Sequence, residues 1–372
     1  MAIFDGKSLR STVSADGTLN LHIEREQFPG PREQEVLVRI EAAPINPSDL
    51  VPLLAHADLD SLRLHPGERT IGTIRPHLLP SLQGRVGKPL SVGNEGAGIV
   101  VSAGRGGEHL IGRTVAIAGG GTYAEYRLGK VEDILVLPHG VLPRQAASAI
   151  VNPLTAMAML ETMRREGHTA LINTAAASSL GQMLNRLCLC DGIELINIVR
   201  TDEQAEILRL AGAQHILNST APDFESALTD KIFDVGATLA FDAVGGGPLA
   251  GKVLAAMGRA NDRRSTGYSR FGSTMRRQVY LYGRLSREPT EIGADVGVAW
   301  NVGYWLVWPA LEELGPEMRQ QLRDRAAAEV ATTFTTSYAE EISLTEVLDP
   351  AVIARFARRA TGGKYLINPS RG

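Results

Sequence analysis

The chain has 372 residues, 44% of them hydrophobic and 21% charged, with a formal net charge of −3; it is too long for one ordinary core, so two domains are expected. This is the balance of a water-soluble globular enzyme, and it gives no reason to expect a nucleic acid or an anionic membrane as partner. No apolar run approaches the ~20 residues of a bilayer span, and the start, Met1-Ala-Ile-Phe-Asp-Gly-Lys7, lacks the layout of a signal peptide, so the expected compartment is the cytoplasm.

Up to about residue 150 the chain reads as short β-type runs broken by glycine and proline. They include Glu35-Val-Leu-Val-Arg-Ile-Glu41, Ile99-Val-Val101 and Arg113-Thr-Val-Ala-Ile-Ala118, and Gly119-Gly-Gly-Thr-Tyr-Ala-Glu-Tyr126 reads as a turn into another strand. A small, mostly β domain is predicted. Residues 56–90, rich in Pro, His, Leu and Gly without clean periodicity, read as an insertion.

From Leu171 the texture changes. An apolar run, Leu171-Ile-Asn-Thr174, feeds a turn of small residues, and Leu180, Met183, Leu184, Leu187 and Cys188 then recur at helical spacing. A second apolar run, Leu195-Ile-Asn-Ile-Val199, ends at Arg200. This is the layout of a dinucleotide-binding βαβ unit, whose small residues let the backbone approach a pyrophosphate at a helix N-terminus. The glycine fingerprint is degraded: Ala177, Ser178 and Ser179 stand where glycines are usual, and only Gly181 remains. An ordinary buried strand and helix is therefore the competing reading. The interval from Gly181 to Arg200 matches the usual one of about 20 residues between the turn and the ribose reader. An acid at the reader would bond two ribose hydroxyls, whereas Arg200 offers a charged fork to a 2′-phosphate and favours NADP(H). Ser178, Ser179, Leu180, Gly181 and Arg200 are the expected cofactor contacts of this segment.

Thr201 and Gln204 form a capping-box pattern for the next helix, and Gly212 stops it. Further apolar stretches follow at His215-Ile-Leu-Asn-Ser219, Thr238-Leu-Ala-Phe-Asp-Ala-Val-Gly-Gly246 and Gln278-Val-Tyr-Leu-Tyr-Gly283. Strands alternating with helices predict an α/β fold with a parallel, doubly wound sheet. Residues 258–278 hold Arg259, Arg263, Arg264, Arg270, Arg276 and Arg277 and also read as an insertion. That cluster reads as a dock for a phosphorylated or acidic substrate tail, or as a solvated loop or oligomer contact. The final stretch, with a helix around Met318 to Val330, has too little apolar material to stand alone and is expected to return to the first domain. The only two cysteines, Cys188 and Cys190, are one residue apart, too close for a Cys-x-x-Cys site, and read as helix filler with one side chain inward and one sideways.

Four further stretches belong together: Ala43-Pro-Ile-Asn-Pro-Ser-Asp49, Val92-Gly-Asn-Glu-Gly-Ala-Gly98, Val151-Asn-Pro-Leu-Thr-Ala156 and Val279-Tyr-Leu-Tyr-Gly-Arg-Leu-Ser286. With them the chain resembles the medium-chain dehydrogenase/reductase superfamily from about Gln34 to Pro369. More narrowly it is similar to the zinc-free branch that holds NADPH:quinone oxidoreductases and 2-enoyl thioester reductases. Gly303-Tyr-Trp-Leu-Val-Trp308 is similar to a Trp-containing stretch of the latter. The resemblance implies a Rossmann dinucleotide-binding domain at 151–290 and a mostly β, GroES-like catalytic domain built from 1–150 and 291–372. It implies Val244, Gly245, Tyr282, Gly283 and Lys364 as further cofactor contacts, and Asn46 and Thr155 as the residues that position nicotinamide and acceptor.

In the superfamily's zinc dehydrogenases a Cys stands at the position of Asn46, a His at that of Asn94 and a second Cys near Asn152. Asparagine is a poor zinc ligand, so no metal is expected. Alcohol oxidation needs a Lewis acid to hold an alkoxide. Without one, hydride transfer suits a small electrophilic substrate, a quinone or an α,β-unsaturated carbonyl, whose developing oxyanion needs only a few donors. The implied function is an NADPH-dependent oxidoreductase of such acceptors. The alternatives are a 2-enoyl-CoA/thioester reductase and a non-catalytic NADPH-binding protein. One departure counts against the enoyl reductases: their proton-donating tyrosine lies shortly after Asn-Pro-Ser-Asp. Here the first tyrosine is Tyr123, and Leu50 to Pro66 offers only His56 and His65. The superfamily commonly pairs its last sheet strand across a twofold axis, so a homodimer is expected, with the strand supplied between Tyr282 and Trp308.

Overall fold

A computed structural model describes residues 3–265, 269–358 and 361–371. The chain divides into two compact units, Met1–Val151 with Arg323–Gly372, and Asn152–Leu322.

In the first unit, β1 (Ile3–Val13) and β2 (Thr18–Pro29) form a long antiparallel hairpin. Gly17, at φ 84, supplies the left-handed residue of its turn. β3 (Glu35–Pro44) is the hub of a second sheet, pairing antiparallel with β4 (Glu95–Ala103) and β6 (Tyr126–Lys130), while β5 (Thr114–Ala118) extends β4. Leu19 and Leu21 from the first sheet and Val38, Ile40, Val100 and Ile117 from the second share one core. Residues 56–90 are integral to this unit rather than inserted. Arg69–Thr73 pairs with β2 and Leu90–Ser91 with β1, and Leu62, Ile74 and Leu82 join the core.

The second unit opens with α1 (Val151–Arg165) and alternates thereafter. Its elements are β7 (Ala170–Asn173), α2 (Ser179–Asp191), β8 (Glu194–Val199), α3 (Asp202–Leu210), β9 (His215–Asn218), α4 (Phe224–Val235), β10 (Leu239–Asp242), α5 (Leu249–Arg264), β11 (Arg277–Leu281) and β12 (Trp300–Tyr304). Every strand pair is parallel, in the order β9-β8-β7-β10-β11-β12. Each of the apolar stretches seen in the sequence is a strand of this sheet. β7 and β10 are buried at every residue, as central strands covered on both faces must be. The strand order reverses between β7 and β10, so the turns leaving their carboxyl ends lie side by side.

Two sequence expectations are corrected here. β12 pairs with β11 in the register Val279↔Val302, which places 291–322 in the second unit and moves that boundary from 290 to Leu322. Trp300-Asn-Val-Gly-Tyr304 mixes aromatic, polar and glycine residues, so it carries no clear strand pattern. The arginine-rich segment is not an insertion either. Residues 258–264 finish α5 and Arg277 begins β11, while 266–268 lie outside the described residues.

The helix expected near Met318 runs from Val307 to Ala328, broken at Gly315 (φ 81, ψ 170). The chain then completes the first unit with β13 (Glu340–Ile342) and β14 (Tyr365–Ile367), a parallel pair of which β14 joins β3 at Leu366↔Pro44.

Candidate active site

In the second unit, β7 ends at Asn173 and the chain turns through Ala175, which is in the left-handed region at φ 50. The Ser178 hydroxyl accepts the Gly181 amide proton (3.1 Å) and so caps α2. Among the described residues the amides of Ser179 and Leu180 have no protein acceptor. Gly181 sits hard against the turn: a Cβ there would lie 2.1 Å from the Ala176 carbonyl oxygen.

The buried Asp242 carboxylate joins this turn to the next. Its Oδ1 accepts the Thr174 hydroxyl (2.5 Å) and the Val244 amide (2.9 Å), and its Oδ2 accepts the Gly245 amide (3.1 Å). The Ala243 amide donates in turn to Thr174 Oγ1 (2.9 Å). A third turn packs on the second, since a Cβ on Gly245 would lie 2.4 Å from the Gly283 carbonyl oxygen. Tyr282 donates to Asn173 Oδ1 (3.4 Å), and burial pushes its phenol well above the usual range. Ser178, Ser179, Leu180, Gly181, Val244, Gly245, Tyr282 and Gly283 are thus gathered at the carboxyl ends of β7, β10 and β11. Arg200 follows β8, the neighbouring strand. It is exposed, its amide donates to Gln204 Oε1 (2.9 Å), and its guanidinium has no partner among the described residues. Thr155 is buried in α1.

Most of the arginine cluster serves the fold. Buried Arg277 donates to the carbonyls of Val296 (2.8 Å), Leu254 (3.3 Å) and Val298. Arg263 pairs with Asp230 (2.6 Å), Arg259 with Asp295 (3.4 Å), and Arg264 donates to the Phe233 carbonyl. Those four are committed side chains, which weakens the reading of the cluster as a ligand dock. Cys188 is buried, with its thiol pushed up to about 12, and Cys190 is exposed.

In the first unit, β3 gives way to a turn through Asn46 into a single 3₁₀ turn, Pro47–Asp49. Asn46 is buried; its Nδ2 donates to Glu95 Oε1 (3.0 Å) and its backbone N–H to Asp49 Oδ2 (2.8 Å). Asp49 Oδ1 accepts the Asn94 amide (2.8 Å), and Asn94 Nδ2 donates to Ser48 Oγ (3.0 Å). Glu95 Oε2 accepts the amides of Val151 (2.8 Å) and Ile150 (3.2 Å). Burial raises the Asp49 carboxyl to about 7 and pushes Glu95 up as well, the Lys364 ammonium opposing the latter. Lys364 is half-buried just before β14, and its Nζ donates to Ser148 Oγ (2.7 Å). Among the described residues no group of three or more His, Cys, Asp and Glu is arranged to hold a metal ion.

The structure separates the sequence-derived set into two groups. Asn46 and Lys364 belong to the first unit, and Thr155, Arg200 and the turn residues to the second. Sequence reasoning missed Thr174 and Asp242, which lock the turns, and Asp49 and Glu95, which hold Asn46. Both carboxylates of the latter pair sit inside the quoted motifs, and buried acids beside asparagine were the available signal. Ser148 and its neighbour Tyr338 (2.9 Å between hydroxyls) are 190 residues apart, and no local pattern connects them.

No family model matches the chain. It is 29% identical over 304 residues to the mitochondrial enoyl-(acyl-carrier-protein) reductase of Xenopus tropicalis, a match covering 77% of this chain and 73% of the frog protein. It is 28% identical over 163 residues to a quinone oxidoreductase of Pseudomonas aeruginosa, covering 43% of this chain and half (50%) of that protein. Among solved structures, a Mesorhizobium loti protein named as an NADPH:quinone reductase superposes with a TM-score of 0.71 at 25% identity, covering 99% of this chain and 100% of that one.

Proposed function

We propose, on the premise that the chain belongs to the medium-chain dehydrogenase/reductase superfamily, that it is a zinc-independent, NADPH-dependent reductase of quinones or α,β-unsaturated carbonyl compounds. The observation that carries this reading is the cradle at the reversal of strand order. Unfilled amides of Ser179 and Leu180 stand at the start of α2, where backbone donors and the helix dipole favour a phosphate. The Ser178 oxygen is already an acceptor for Gly181, which leaves its proton to give. One strand away, Arg200 presents an uncommitted guanidinium. These groups fit a dinucleotide that carries an extra phosphate.

Bound NADPH supplies the two electrons and the hydrogen that the acceptor takes up. Asn46 aligns the reacting end: Glu95 can only accept when ionised, so it fixes which way the Asn46 amide points. Thr155 contributes a hydroxyl to the same task, and Lys364 a cationic contact to the cofactor. Asn46 and Asn94 commit their amides to Glu95 and Ser48. Neither brings the thiolate or imidazole that zinc prefers, so the chemistry is assigned to acceptors that are already electrophilic. The 2-enoyl thioester reading is favoured by the longer of the two sequence matches, over 304 residues. Turnover of crotonyl-CoA in preference to a quinone and enone panel would select it. Tight NADPH binding without any turnover would leave the non-catalytic reading.

NADPH is expected to bind at least about tenfold tighter than NADH, since a charge-assisted hydrogen bond contributes about 1.5–3 kcal/mol. Arg200→Ala should erase most of that preference and leave NADH binding nearly unchanged in a nicotinamide-fluorescence titration. Equal binding of the two cofactors by the natural chain would remove Arg200 as the ribose reader.

A homodimer through β12 is part of the same proposal. β12 is an edge strand bearing Trp300 at 39% and Tyr304 at 66% exposure, and an unpaired edge of that kind invites another strand. Light scattering at micromolar concentration should give twice the chain mass, and a monomeric mass would rule the dimer out. A cytoplasmic location completes the reading; among the described residues no helix is long and apolar enough to cross a membrane.

A further inference from the structure

Beyond the end of β8, Thr201 is extended (φ −139, ψ 160), so Arg200 and Asp202 project to the same side of the backbone, as alternate residues of a strand do. The same spacing in β3 brings Arg39 and Glu41 into an ion pair (2.7 Å). Arg200 and Asp202 make no such pair: among the described residues the Arg200 guanidinium has no partner. Asp202 is drawn across to the next strand instead, where its Oδ1 accepts a proton from Asn218 Nδ2 (3.1 Å). Asn218 ends β9 and stands beside Val199 in the register of the β8–β9 pair.

The Asn218 amide can face only one way. Its Oδ1 accepts the Thr220 backbone N–H (3.0 Å) and the Thr220 hydroxyl (2.8 Å), and a backbone N–H can only donate. That leaves the Nδ2 protons for the Asp202 carboxylate. The Arg200 main chain is pinned as well: its N–H donates to Gln204 Oε1 (2.9 Å), and Thr220 Oγ1 lies 3.3 Å from its carbonyl oxygen. Of the acids that follow, Glu203 is hydrogen-bonded by the Thr201 side chain and Glu206 pairs with Arg209 (2.6 Å). Asp202 is therefore the acid placed to reach Arg200, and Asn218 the residue that holds it off.

We propose that Asn218 sets the choice of cofactor by acting on Asp202: it ties that carboxylate to the end of β9 and so keeps the Arg200 guanidinium free for the 2′-phosphate of NADPH. The proposal rests on the reading of Arg200 as the contact for that phosphate. Freed, Asp202 would work against the phosphate twice. Its carboxylate would pair with Arg200, and it would stand as a like charge beside the incoming anion. A carboxylate in this region of a dinucleotide-binding βαβ unit is also the group that bonds the ribose hydroxyls of NAD, so its release favours the cofactor without the extra phosphate. Asn218 is thus a positioning residue, and every group it works through belongs to the second unit.

The test uses the full chain and two fragments that need neither nicotinamide nor turnover, adenosine 2′,5′-bisphosphate and 5′-AMP, titrated by calorimetry at low ionic strength. The natural chain should prefer the bisphosphate. In Asn218→Ala that preference should fall about fivefold, the upper scale of an exposed ion pair, and Asp202→Asn added to the same chain should restore it. Asp202→Asn on its own should move the preference much less, because Asn218 already holds the carboxylate away. A second readout is independent of nucleotide. Phenylglyoxal modifies free guanidinium groups, and mass spectrometry should find Arg200 labelled about fivefold more slowly in Asn218→Ala and at the natural rate in the double variant. An unchanged preference in Asn218→Ala overturns the proposal, as does a loss that persists after Asp202→Asn, which would trace the effect to the Thr220 turn. A natural chain that binds both fragments equally defeats Arg200 as the phosphate contact instead. The labelling then decides alone: slower labelling in Asn218→Ala upholds the hold on Asp202, and an unchanged rate overturns it.

Discussion

Gly181→Val is expected to abolish binding of NADPH and NADH alike. A Cβ at this position would lie 2.1 Å from the Ala176 carbonyl oxygen and 2.6 Å from its carbon. Both are backbone atoms of the turn itself, so no side-chain rotation relieves the clash. α2 would have to move away from the turn, taking with it the Ser179 and Leu180 amides and the cap that Ser178 makes on Gly181. Valine adds two methyl groups and a stiff χ1 to that displacement. Ser178→Gly is the matched control, because glycine at an N-cap costs only a few tenths of a kcal/mol, and it should bind cofactor. Fluorescence titration reads the binding, and a thermal melt on the same samples separates a shifted turn from a lost fold. Strong binding by a folded Gly181→Val chain would take the turn out of the site.

Asn46→Ala is expected to lower turnover of a quinone or enone by up to about 10²-fold, within the range reported for losing one positioned donor, while weakening NADPH binding much less. Alanine removes the amide that Glu95 Oε1 accepts at 3.0 Å and leaves a buried carboxylate with one oxygen short of a partner. The Val151 and Ile150 amides still hold the other oxygen, so the local fold has reason to persist. Steady-state kinetics beside a cofactor titration gives the split between kcat and binding. Unchanged turnover would leave the fold standing and remove Asn46 from the mechanism.

The sheet was legible because its inner strands are short, mostly apolar runs separated by stretches of helical spacing. β7 and β10 are buried at every position and could be little else. β12 lies inside the stretch from Tyr282 to Trp308 expected to supply a last strand, but its bounds were not legible: Trp300, Asn301 and Tyr304 are exposed, and the strand is defined by its pairing with β11 and not by an apolar pattern of its own. Residues 56–90 misled for a related reason: Arg69–Thr73 gains its place from β2, a partner far back in the chain. At the candidate site the signals were local. Ser178, Gly181 and Arg200 were read from one contiguous stretch, and the structure sets the first two at a helix start and the third after the adjoining strand. What escaped were the groups that hold others in place. Asp242 and Glu95 act through backbone amides contributed by several turns, and hydrogen bonding of that kind leaves no spacing rule in a sequence.

The bond between Thr174 and Asp242 also bears on the order in which the protein assembles. It joins residues 68 positions apart, and closing a chain segment of that size is entropically costly and slow compared with local helix formation. α2 and its serine cap can form from neighbouring residues alone. The second turn reaches its place only after β8 and β9 have been laid on one side of β7 and β10 has returned to the other. The bond between the two turns is therefore expected to close late on the folding route. A nascent chain emerging only as far as β9 lacks Asp242 and so cannot yet close the turn that follows β7.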